Sequence, residues 1–68
     1  MSQIHPTAVI DPGARLGRDL VIGPSAVIEG DTALGDGCFI DAHVKIARYT
    51  PLGEGTRVYF GALIGEEP

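Results

Sequence analysis

Aliphatic residues stand at every sixth position of this chain: Ile4, Ile10, Leu16, Ile22, Ile28, Leu34, Ile40, Ile46, Leu52, Val58 and Ile64. The series has no gap. Four residues after each comes a second series, Ala8, Ala14, Leu20, Ala26, Thr32, Cys38, Val44, Thr50, Thr56 and Ala62, nearly all small or β-branched. The residue directly after the aliphatic is often glycine or acidic, as at Asp11, Gly17, Gly23, Glu29, Gly35, Asp41, Gly53 and Gly65. A helix turns by about 100° per residue, so six steps leave successive aliphatics roughly 120° apart and no stripe forms. The 10 glycines and 5 prolines also bar long helices. A strand would hold both series on one face, but a Gly- or Pro-rich pair breaks every hexad, as in D-P-G, G-P-S, E-G-D and G-D-G. The pattern predicts a short strand and a corner, repeated, with the aliphatic pointing inward.

A longer period lies over the first. I-H-P-T-A-V-I-D-P-G-A-R-L-G aligns with I-G-P-S-A-V-I-E-G-D-T-A-L-G, and Leu-Gly recurs at Leu16, Leu34 and Leu52, eighteen residues apart. Three hexads therefore close one turn of a three-sided coil, and like stacks on like. The expected fold is all-β, a parallel β-helix solenoid of about three and a half coils, formed by residues 1–68 as one domain. Cys38 falls in the small-residue series and reads as a buried filler. The glycines after the aliphatics read as serving corner geometry; none forms G-x-G-x-x-G or G-x-x-x-x-G-K, so no phosphate loop is indicated.

At 68 residues, a single core is marginal, and partner chains are expected to add to it. One cysteine excludes an internal disulfide and suits a reducing compartment. The net charge is −4, and the five basic residues, Arg15, Arg18, Lys45, Arg48 and Arg57, are scattered singly. That pattern argues against nucleic acid or an anionic membrane as partner. The start, M-S-Q-I-H-P-T, has neither the basic nor the apolar stretch of a signal peptide, and the longest apolar runs are three residues. A cytoplasmic location is expected.

The hexads I-G-P-S-A-V-I-E-G-D and L-G-D-G resemble those of the hexapeptide-repeat acyltransferases, which form left-handed parallel β-helices. The resemblance supplies the hand, since strand crossovers elsewhere are right-handed. I-H-P-T-A-V-I-D-P-G-A-R-L-G, the I-G-P that follows, and R-V-Y-F-G-A-L-I-G-E are similar to the amino-terminal coils of the UDP-N-acetylglucosamine O-acyltransferase family. That resemblance spans essentially the whole chain, with Ser25 standing where an aromatic is common. It implies transfer of a 3-hydroxyacyl chain from acyl carrier protein to the sugar nucleotide, in lipid A synthesis. Family members are several times longer and carry the catalytic histidine in a later coil, within an N-A-H-type hexad. This chain reaches Glu66-Glu67-Pro68 where the family continues into a substrate-contacting loop. No residue here receives those roles, so no catalytic residue is assigned and the substrate-binding residues stay unknown.

The chain has two histidines. His43, in D-A-H, echoes the catalytic hexad but falls in a pre-catalytic coil, and a general base needs an orienting partner and an oxyanion donor nearby. Asp41 is close in sequence, yet need not meet it around a corner. His43 reads as a surface or subunit-interface residue. His5 reads as structural; it lies two coils below, roughly 10 Å away, too far to share a zinc ion. Neither a metal nor a cofactor is expected. Outward apolar positions, Val9, Val27 and Leu63 in one column and Val21 and Phe39 in another, point to a homotrimer packed side by side. C-terminal edges meeting end to end would make a dimer of trimers. The expected function is a truncated or minimal acyltransferase-like β-helix that folds and self-assembles without a complete active site. The alternative is an active acyltransferase with His43 as general base in the trimer cleft, for which acyl carrier protein and UDP-N-acetylglucosamine would be partners.

Overall fold

The computed structural model describes residues 1–65; the Glu66-Glu67-Pro68 segment singled out above lies outside the described residues. Each hexad makes one two-residue strand: β1 Gln3–Ile4, β2 Val9–Ile10, β3 Arg15–Leu16, β4 Val21–Ile22, β5 Val27–Ile28, β6 Ala33–Leu34, β7 Phe39–Ile40, β8 Lys45–Ile46, β9 Pro51–Leu52, β10 Arg57–Val58 and β11 Leu63–Ile64. Each strand from β1 to β8 pairs in parallel with the strand three further on. This gives sheet A (β1-β4-β7-β10), sheet B (β2-β5-β8-β11) and sheet C (β3-β6-β9). Three coils are complete and a fourth has two sides. The register is eighteen residues throughout, with Ile4 against Ile22, Ile22 against Ile40 and Ile40 against Val58.

The second residue of each strand points inward and its stacked copies make the core. Ile22, Ile28, Leu34, Ile40, Ile46 and Val58 are buried, and Leu20, Ala26, Thr32, Cys38 and Val44 from the second series fill the space between them. The first coil departs from the expectation that every tooth is interior: Ile4 is 42% exposed and Leu16 38%. Those side chains have a neighbouring coil on one side only. The small-residue series also does polar work. Thr32 Oγ1 donates to Ala47 O at 3.0 Å, and Cys38 Sγ lies 3.2 Å from Gly53 O, so a buried hydroxyl and thiol satisfy corner carbonyls of the coil above. Pro51, which has no N–H to give, sits in β9 at the top of sheet C, a permitted edge position.

The corners fall into two kinds. From the third corner onward the residue three after the aliphatic is left-handed: Asp19, Ser25, Asp31, His43 and Tyr49 at φ between 55° and 63°, and Gly37, Gly55 and Gly61 at 70° to 75°. Several of these donate their N–H to the coil below, as His43 does to Pro24 O at 3.0 Å and Gly37 to Arg18 O at 2.8 Å. The first two corners have no left-handed residue and close by four-residue turns in which Ala8 N donates to His5 O and Ala14 N to Asp11 O; the Gly55 and Gly61 corners carry the same bond, from Thr56 N to Gly53 O and from Ala62 N to Tyr59 O. Gly17, Gly23 and Gly35, each directly after an aliphatic, serve neither kind of turn. A Cβ on Gly17, Gly23 or Gly35 would stand within 2.9 Å of the backbone of the next coil. Their role is close approach of coil to coil.

Candidate functional site

Both histidines lie on the edge between sheets A and B, where residues 5–8, 23–26, 41–44 and 59–62 stack as four corners. Asp41 is the one acid in that column; the other described acids, Asp11, Asp19, Glu29, Asp31, Asp36 and Glu54, lie on the remaining two edges. His43 is exposed, and its ring meets the edge of Phe60, with centroids 5.5 Å apart and planes at 68°. Asp41 turns the other way, accepting the Ala42 N–H on Oδ1 at 2.7 Å. Among the described residues no hydrogen bond joins Asp41 to His43. His5 is bound up locally: its Nδ1 lies 2.9 Å from Thr7 Oγ1 and accepts the Thr7 N–H at 3.1 Å. The structure therefore places the two histidines on one edge, in separate local networks.

The sheets flanking this edge carry the outward columns. Register puts Val9, Val27, Lys45 and Leu63 in line on sheet B, and Gln3, Val21, Phe39 and Arg57 in line on sheet A. Val9, Tyr59, Phe60 and Leu63 are exposed, Phe60 by 68%. Phe39 packs against Tyr59 with centroids 6.3 Å apart, and the Arg57 guanidinium lies 5.9 Å from the Phe39 ring centre. Exposed apolar side chains and rings, with the Arg57 cation over Phe39, have the composition of contact surfaces. Lys45, which interrupts the sheet B column, reaches Glu29 at 3.9 Å.

A concavity opens on the edge between sheets B and C, about 540 Å³ in volume, lined by Glu29, Ala47, Arg48, Tyr49, Thr50, Pro51 and Gly65. Glu29 accepts the Arg48 N–H at 3.1 Å, and the Arg48 guanidinium lies 5.9 Å from the Tyr49 ring centre. This cleft offers one cation and one ring, with neither histidine in it. Among the described residues no three of His, Cys, Asp and Glu come together as a metal-binding group, and no helix is long and apolar enough to cross a membrane. Arg57 over Phe39 and Phe60 against His43 were not singled out from sequence. Writing the chain in rows of eighteen would have shown both, because these partners are eighteen and seventeen residues apart.

Comparison with known proteins agrees with this architecture. The chain is 43% identical over 68 residues to the acyl-[acyl-carrier-protein]–UDP-N-acetylglucosamine O-acyltransferase of Chlamydia abortus, covering 100% of this chain and 24% of that protein. It is 40% identical over 65 residues to the enzyme of the same name from Brucella ovis, covering 96% and 23%. The crystal structure of Arabidopsis UDP-N-acetylglucosamine acyltransferase superposes with a TM-score of 0.90 at 35% identity, covering 93% of this chain and 22% of the other. The chain thus spans about a quarter of the length of the relatives it matches, and its coil is the left-handed parallel β-helix that the hexads implied. A family model described as bacterial transferase hexapeptide (six repeats) matches residues 13–48, more than half of the sequence. With every strand of that stretch stacked at the family's period, the chain belongs to the bacterial transferase hexapeptide family.

Proposed function

We propose that these coils are a self-assembling scaffold of an acyl-carrier-protein-dependent UDP-N-acetylglucosamine O-acyltransferase, packed side by side as a cytoplasmic homotrimer, and that on their own they do not carry the acyl transfer. The observation that carries the reading is the pair of outward columns on sheets A and B, with exposed Val9, Tyr59, Phe60 and Leu63 around the edge they share. Isolated exposed apolar side chains are ordinary, whereas an aligned set favours burial against a second surface. A second copy of the chain offers the same set, and a core this small gains from the added area. The polar groups of the edge support the second half of the reading. His5 is engaged with Thr7, Asp41 with Ala42 and His43 with Phe60, so the histidine expected to matter in an active chain lacks the bonded carboxylate that orients a general base.

Light scattering at micromolar concentration should give about three times the 7.1 kDa of one chain. The double substitution Val9→Asp, Leu63→Asp should return a single-chain mass with the β-sheet circular dichroism kept. A parent chain that runs as a monomer would end the assembly proposal. Incubation with acyl carrier protein charged with a 3-hydroxyacyl group and UDP-N-acetylglucosamine should give no turnover; turnover that disappears in His43→Ala would instead establish His43 as the base.

A further inference from the structure

The first coil closes its corner on the A–B edge with a histidine where the following corner uses an aspartate. His5 follows Ile4 as Asp11 follows Ile10, each is followed by proline, and each accepts through its side chain the N–H two residues on. Asp11 Oδ1 takes the Gly13 N–H at 2.8 Å, and His5 Nδ1 takes the Thr7 N–H at 3.1 Å. Both residues also accept, on their backbone oxygen, the N–H three residues on. His5 is thus a ring-bearing version of an Asx turn.

The contacts at Nδ1 point to one tautomer of the ring. Thr7 Oγ1 accepts the Ser25 N–H of the next coil at 3.0 Å and lies 2.9 Å from His5 Nδ1. The Thr7 N–H already points at that nitrogen, so Nδ1 must present a lone pair, which the Thr7 N–H and O–H share. The ring proton then sits on Nε2. We infer that His5 sits in the turn as its Nε2–H tautomer, and that a proton on Nδ1 removes the side-chain acceptor of the turn and loosens the first corner. The Thr7 N–H then faces an N–H, while the Asp11 turn beside it keeps its carboxylate. The surroundings leave His5 as the group that switches. The corner above it, Gly23, Pro24 and Ser25, has no titratable side chain, and Gln3 on its own strand is neutral. Asp41 and His43 lie two coils up, roughly 10 Å away, with Asp41 turned onto Ala42. The Met1 ammonium is paired with Asp19 on another edge.

The test uses the whole chain. Long-range ¹H–¹⁵N imidazole spectra at pH 8 should show His5 protonated on Nε2 and bare on Nδ1. Amide exchange, corrected for the intrinsic rate, should show Thr7 losing about three- to tenfold of its protection between pH 8 and pH 5, the interval in which imidazoles gain charge. Gly13, measured in the same sample, should hold steady. His5→Asn supplies an acceptor that does not titrate and should make Thr7 as insensitive to pH as Gly13. A ring protonated on Nδ1 at pH 8, or parallel loss of protection at Thr7 and Gly13, would overturn the inference.

Discussion

Gly35 and Gly53 occupy the same place in two Leu-Gly pairs eighteen residues apart, and the fold predicts opposite results when each becomes alanine. At Gly35 an added Cβ would lie 2.7 Å from Glu54 N and 2.9 Å from Gly53 C. Both are backbone atoms of the coil above and cannot swing aside. Reaching an ordinary contact would require the two coils to part locally by more than half an ångström. That displacement stretches the bond beside it, Gly35 N to Leu52 O at 2.9 Å. Overpacking costs about 1–3 kcal/mol and a weakened backbone hydrogen bond about 1 more, so Gly35→Ala should lose about 3 kcal/mol. At Gly53 nothing among the described residues lies within 4 Å of the added carbon and φ is outside the left-handed region. There the substitution acts on the unfolded chain alone and should gain about 0.5 kcal/mol. Urea titrations of the two variants and the parent at one fixed protein concentration would measure the gap, and a common slope would confirm that all three unfold the same structure. If Gly35→Ala and Gly53→Ala came within 0.5 kcal/mol of one another, the coils would not approach as described.

Two other substitutions probe the core and the corners. Ile40 and Ile4 stack in one column of sheet A, but Ile40 is fully buried while Ile4 is 42% exposed. By transfer at ~0.8 kcal/mol per carbon plus an unfilled cavity, Ile40→Ala should cost about 4 kcal/mol and Ile4→Ala about 1.5; equal losses in the same urea assay would contradict the inward ladder. His43 is left-handed at φ 55°, which a β-branched side chain resists, so His43→Val should lower stability by about 1–2 kcal/mol while His43→Gly stays within about 0.5 of the parent. Similar thermal midpoints for Val and Gly at that site would show that the corner is not left-handed in solution.

The core was legible in the sequence and the corners were not, and the difference has a physical basis. Burial rewards one residue class at one spacing, so the teeth from Ile4 to Ile64 announce both the strand and the eighteen-residue turn. Left-handed backbone makes no such uniform demand. Among the described residues it is occupied by Asp19, Ser25, Asp31, His43, Tyr49 and four glycines, and no compositional signal unites them. Gly17, Gly23 and Gly35 mislead for the opposite reason. They look like turn residues, yet their requirement comes from a coil eighteen residues away, visible once the stack exists. The outward columns were partly legible: Val9, Val27 and Leu63 align as expected, but Lys45 stands in their line, and Arg57 stands over Phe39.

The edge between sheets A and B shows how a repeat of this kind acquires local chemistry. Three of its four corners are left-handed at Ser25, His43 and Gly61 and the first is not, and the column holds His5 engaged by Thr7, Ser25 giving its N–H to Thr7, and His43 against Phe60. The ladder of aliphatics fixes where a corner residue stands to within the register of the stack. It leaves the side chain there free to vary, because the corner points away from the core and contributes little to burial. A histidine in a hexad is therefore weak evidence of catalysis by itself. What decides its role is the pair of residues about eighteen positions before and after it, and for His43 those neighbours are the Ser25 corner and the Gly61 corner with its Phe60 ring.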